Sequence, residues 1–182
     1  MKKIIIGAVV AGLILFICQT LSWTILDLHR PANQHAPKQT EILNFLGDQL
    51  EADGQYLLPS PPPGVSMEES QSIMKETVGK PWAIIAYHKQ KNDNMTSSII
   101  RVLLVNIFMA GLFCWILSKM TKPSFATVFL ASLFTGLIVF MNIPYTEHIF
   151  YQTFDLTASL IDAIVGWGLA GLWLGRLFSK QS

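Results

Sequence analysis

The chain has 182 residues, 51% of them hydrophobic and 14% charged, with two cysteines and a formal net charge of +1. That is too apolar for an ordinary soluble surface. A basic surplus able to hold nucleic acid is missing, and two cysteines cannot build a disulfide framework.

Residues 1–26 open with Lys2 and Lys3 and are uncharged from Ile4 to Leu26, enough for a first transmembrane helix. A secretory signal begins the same way. However, the stretch from Cys18 to Trp23 offers only Thr20 and Ser22 as small residues for cleavage, and Ile17 is too bulky to precede a lipidated cysteine. The expectation is an uncleaved signal anchor.

Residues 27–98 form a polar insertion, marginal in size as an independent domain. Apolar residues at 42, 43, 45, 46 and 50 predict a one-faced helix with Thr40 as its cap, ended by Gly54. Gln55 to Leu58 reads as a short strand, followed by a stiff break from Pro59 to Gly64. Ser66 and Glu69 have capping-box spacing, so a helix is expected from Met67 to about Val78, closed by Gly79. Pro81 to Tyr87 reads as a second strand, able to pair at Tyr56, with the consecutive Ile84 and Ile85 covered on both faces. Asn94 or Thr96 caps the next helix.

The remaining elements are a second transmembrane helix at 99–118, a turn at 119–122, a third helix at 123–142, a short loop at 143–155, a fourth helix at 156–176 and a tail at 177–182. With this threading all twelve acidic residues fall on one side, beside seven basic ones. The other side holds Lys2, Lys3, Lys119, Lys122, Arg176 and Lys180 and no acid. The positive-inside rule then puts both termini in the cytoplasm and residues 27–98 outside it.

Asp162 is the chemically informative position. The uncharged part of the fourth helix, Ala163 to Gly175, is too short for a bilayer. Either the bilayer thins, or the helix starts near Leu156 and carries Asp162 below the interface. A short carboxylate there needs a partner, and Arg101, at a similar depth on the second helix, is the expected one. An intramembrane ion pair of Asp162 with Arg101 stands beside two other readings, a proton or ion relay and an unpaired interfacial acid. Gly166 shares the face of Asp162, while Gly168, Gly171 and Gly175 share the opposite one. Two small-residue faces imply two packing surfaces, either within the bundle or with a second subunit.

His29, His88 and His148 come from three separate segments and are the candidate metal ligands. They lack the close spacing of a strong metal motif, and interfacial residues are the simpler alternative. No catalytic residues and no cofactor are expected, and no nucleophile-elbow motif is present.

Trp23, Leu26 and His29, then Gly54, Tyr56 and Pro59, then Gly79, Pro81 and Tyr87 are spaced in a way that resembles an uncharacterised family of small bacterial four-helix membrane proteins with a large first extracytoplasmic segment. That resemblance implies a bacterial inner membrane and no particular activity.

The expected fold is an all-α membrane bundle of four transmembrane helices with a small α+β extracytoplasmic subdomain between helices 1 and 2. Its expected partners are the lipid bilayer and either a membrane-protein partner or further copies of itself, with no nucleic acid. Three functions follow: a non-enzymatic structural, scaffolding or accessory component acting through the outer subdomain, a small homo-oligomeric transporter or channel using Asp162, or a metal- or lipid-dependent enzyme at the outer surface.

Overall fold

The computed structural model describes residues 1–179, so positions 180–182 of the expected tail, Lys180 among them, lie outside the described residues. In chain order the elements are α1 (Lys2–Thr24), a 3-10 turn (Arg30–Ala32), α2 (Gln39–Gln49), β1 (Gly54–Leu58), α3 (Met67–Glu76) and β2 (Ala83–Tyr87). Then follow α4 (Met95–Ser118), α5 (Phe125–Phe140), a π-helical turn (Met141–Tyr145), α6 (Thr146–Tyr151) and α7 (Leu156–Phe178). They divide into two compact units, one made of Met1–Gln34 and the chain from Asn94 onward, the other of His35–Asp93. Residues 27–34 therefore belong with the long helices and not with the insertion.

In the first unit, Lys2–Thr24, Met95–Ser118, Phe125–Tyr151 and Leu156–Phe178 are each long and apolar enough to cross a membrane. The shortest has 23 residues, about 34 Å at roughly 1.5 Å per residue, against a hydrocarbon core of about 30 Å. α1 packs on α4 and α7, and α7 packs on α5, so α1 and α7 form the middle while α4 and α5 are flanks that do not pack along each other. The centre is built from small or compact residues such as Ala11, Ala110, Cys114, Val128 and Ala170. Large apolar side chains such as Leu104, Phe108, Leu112, Phe134 and Ile138 point outward. This is inside-out relative to a water-soluble bundle and suits helices whose association depends on close fit.

Glycine sets that fit at two crossings. A Cβ on Gly12 would lie 2.5 Å from the Ile107 Cα, so α1 and α4 meet backbone to backbone. A Cβ on Gly136 would lie 2.6 Å from the Ala163 carbonyl oxygen, and one on Gly171 2.7 Å from the Ser132 Cβ, which fixes α5 against α7. Ser132 Oγ, fully buried, donates to the Trp167 carbonyl at 2.6 Å across the same crossing. Gly168 faces Leu133 and Gly175 faces Phe125, both on the α5 side, whereas Gly166 faces Leu15 of α1. Both small-residue faces of α7 thus meet helices of the same chain.

The third apolar helix runs further than its sequence suggests. The expected end at 142 reflects Pro144 two residues on, because proline lacks an N–H and its ring strikes the carbonyl four residues back. The widened turn at Met141–Tyr145 accommodates the ring. Thr146 Oγ1 donates to the Met141 carbonyl at 2.8 Å, and the helix continues to Tyr151, where Gln152 at φ 49° stops it.

In the second unit, β1 and β2 pair antiparallel with Tyr56 opposite Ile85. Ser66 caps α3, its Oγ accepting from the Glu69 N–H at 3.2 Å. Thr40 does not cap α2, which starts at Gln39 after Lys38 without a side-chain cap. Asn94 precedes α4, also without a capping bond. Ile84 and Ile85 are only half-buried, and no residue between His35 and Asp93 is buried. A two-stranded ribbon cannot cover both of its faces with two short helices.

Candidate functional site

At the end of α1 the chain turns back on itself. Asp27 adopts a left-handed conformation, φ 49°, and the Leu28 N–H donates to the Ser22 carbonyl at 3.0 Å. Short polar residues tolerate that conformation best. The reversal lays His29 flat on Trp23, ring centroids 4.0 Å apart and planes 5° from parallel. His29 is 4% exposed.

Both imidazole nitrogens are engaged. Nδ1 lies 3.0 Å from Asp155 Oδ2 and Nε2 lies 3.0 Å from Asp162 Oδ2. Asp155 is the residue before α7, and Asp162 lies seven positions on, two helical turns along the same face. Carboxylates carry no proton to share, and a neutral imidazole carries one. One imidazole thus faces two carboxyl groups, so acidic groups outnumber the basic one in the cluster.

Arg101 therefore is not the partner of Asp162. Among the described residues it forms no ion pair. The physical reason is neighbourhood: α4 scarcely touches α7, whereas α1 lies against it, so the turn following α1 reaches Asp162 first. α7 does start at Leu156, which makes it 23 residues long and places Asp162 inside it.

Arg101 instead lines a cleft of about 640 Å³ together with His29, Asp155 and Asp162. The cleft lies between the flanks α4 and α5 and is floored by α1 and α7. Its walls are apolar, formed by Leu15, Val105, Met109, Val139 and Phe140. Gln19 and Asn106 add polar groups, and the buried Asn106 donates to the Val102 carbonyl at 2.9 Å and to Gln19 at 3.4 Å. Further along the bundle, the edge-to-face pair Phe113 and Trp167, centroids 5.6 Å apart, fills the centre. At the opposite end Lys2, Lys3 and Lys122 line a second hollow of about 580 Å³.

The histidines do not assemble as a metal set. His29 has no free ring nitrogen, and His148 Nδ1 lies 3.0 Å from the Thr153 carbonyl. His88 belongs to the second unit, where it sits 3.7 Å from Asp53. Among the described residues no group of three or more His, Cys, Asp or Glu is placed to hold a metal ion.

The Asp155 and Asp162 spacing was a signal in the sequence, because two acids seven apart share a helix face and call for one common partner. Compared with known proteins, the chain matches no family model, no curated protein and no solved structure.

Proposed function

We propose that this chain is a multi-pass protein of a bacterial inner membrane, with both termini cytoplasmic, that serves as a non-enzymatic accessory component by docking its outer segment on another envelope protein. The four apolar helices and the gathering of Lys2, Lys3 and Lys122 at one end support the placement.

The observation that carries the docking role is the state of residues 35–93. Phe45 is 63% exposed, Met67 75% and Val78 80%, in a unit with no buried residue. Ordering each residue costs about 1–2 kcal/mol, and a segment that buries so little apolar surface gains little to offset it. Such a surface suits a partner that covers it.

A transporter or channel built on Asp162 is supported less, because the Phe113 and Trp167 rings fill the centre of the bundle beyond it. A metal-dependent enzyme has no ligand set behind it among the described residues.

The test is purification of the intact protein in mild detergent with mass spectrometry of co-purifying proteins. A stoichiometric envelope protein is expected with the native chain and is lost from the Phe45→Ser, Val78→Ser double variant. A clean homo-oligomer without such a partner overturns the docking role. Placement is tested separately in a Cys18→Ala, Cys114→Ala background, where an impermeant maleimide should label Gln90→Cys but not Thr121→Cys in intact spheroplasts.

A further inference from the structure

The cleft of the first unit combines features that together select a ligand. Arg101 on α4 supplies one positive charge without an ion-pair partner among the described residues. The cluster of His29, Asp155 and Asp162 places two carboxyl groups against one imidazole on the α1 and α7 side. Each aspartate uses only Oδ2 towards His29, and each remains about a quarter exposed, at 24% and 23%. Among the described residues the Oδ1 atoms of both acids have no hydrogen-bond partner, which leaves them as acceptors. Apolar side chains such as Leu15, Val105 and Phe140 also line the cleft, which opens between flanks that do not pack along each other.

We propose that this cleft binds a zwitterionic phospholipid with a primary-ammonium headgroup, a phosphoethanolamine lipid, its phosphate at Arg101 and its ammonium at Asp155 and Asp162. A guanidinium suits phosphate oxygens through charge-assisted hydrogen bonds. A primary ammonium brings three N–H donors to carboxylate oxygens, whereas a quaternary ammonium brings none. An anionic headgroup without a cation meets Arg101 but is repelled by the acids. The volume, within the roughly 300–1,000 Å³ of small-ligand clefts, takes the headgroup and upper chains, and the remaining chain length runs along the gap between α4 and α5.

The inference rests on the membrane placement proposed above and not on the docking role, and the maleimide labelling checks that placement by itself. The intact protein in mild detergent is titrated with phosphatidylethanolamine, phosphatidylcholine and phosphatidylglycerol of identical chains and read by native mass spectrometry. One phosphatidylethanolamine is expected per chain, bound at least about fivefold more tightly than either of the others, since only it brings both a phosphate for Arg101 and N–H donors for the two acids. Arg101→Gln weakens phosphatidylethanolamine and phosphatidylglycerol alike. Asp155→Asn narrows the preference for ethanolamine over choline. Equal retention of the three lipids by the native protein, or ethanolamine binding unchanged in both variants, overturns the proposal. Competition by water-soluble glycerophosphoethanolamine as strong as that of the lipid overturns the membrane source of the ligand.

Discussion

The two units of this chain solve opposite problems. The helical unit hides small residues and displays large ones: Ala11, Ala110 and Ala170 are inaccessible while Phe108, Trp115 and Phe134 are more than half exposed. The insertion, His35–Asp93, hides nothing completely and displays Phe45, Met67 and Val78. In the first, order comes from interlocking backbones, and in the second from a cap, a strand ladder and a few polar contacts such as Asp53 accepting from the Lys89 N–H at 3.0 Å. The lesson is that exposed apolar surface has two meanings. Along four helices of spanning length it is compatible with a lipid solvent, whereas on the polar insertion it is the surface that the proposed docking role would use.

Substitutions can break this contrast. The largest effect is expected from Gly136→Leu, because a side chain there strikes the Ala163 carbonyl and Trp167 on α7. A loss of about 3 kcal/mol is expected from such overpacking, measured by thermal unfolding in detergent, and a native-like melting curve refutes the close crossing of α5 and α7. Next is His29→Leu, which leaves Asp155 and Asp162 without their shared donor. About 2 kcal/mol should be lost, in line with hydrogen bonds to charged groups. Adding Asp155→Asn and Asp162→Asn should restore part of that stability, and a further loss instead of recovery contradicts the shared-imidazole arrangement. Ser132→Ala removes one buried hydrogen bond between α5 and α7. Its cost should be near 0.6 kcal/mol, roughly the average for interhelical hydrogen bonds in membranes, and a cost several times larger would mean the crossing depends on it.

The smallest effect sharpens the contrast from the other side. Phe45→Ser and Val78→Ser should each change the stability of the isolated protein by less than about 0.5 kcal/mol, as exposed substitutions do. Chemical unfolding followed by tryptophan fluorescence reads this, and a loss comparable to Gly136→Leu would show that these side chains belong to a core.

Much of the fold was legible. Uninterrupted apolar runs gave the four long helices, Ser66 and Glu69 marked the start of α3, and the pairing at Tyr56 followed from two short strand patterns around a proline break. The full length of the third helix is not legible, because Pro144 normally ends a helix and nothing local announces that a π-helical turn will absorb it. Asp162 was legible as a group needing a partner, but the partner was not. Arg101 matched it in depth, whereas His29, 133 positions away in sequence, matches it in space.

The existence of four long apolar helices was determined by the sequence alone, because hydropathy acts residue by residue along the chain. Which helix lies beside which was decided only in three dimensions. Close approach needs a glycine on one helix to meet the right surface on another, as Gly12 meets Ile107 and Gly136 meets Ala163 and Trp167, and that match is a property of pairs. Once α1 lay against α7, the turn after α1 delivered His29 to both acids, and Arg101 was left facing the cleft.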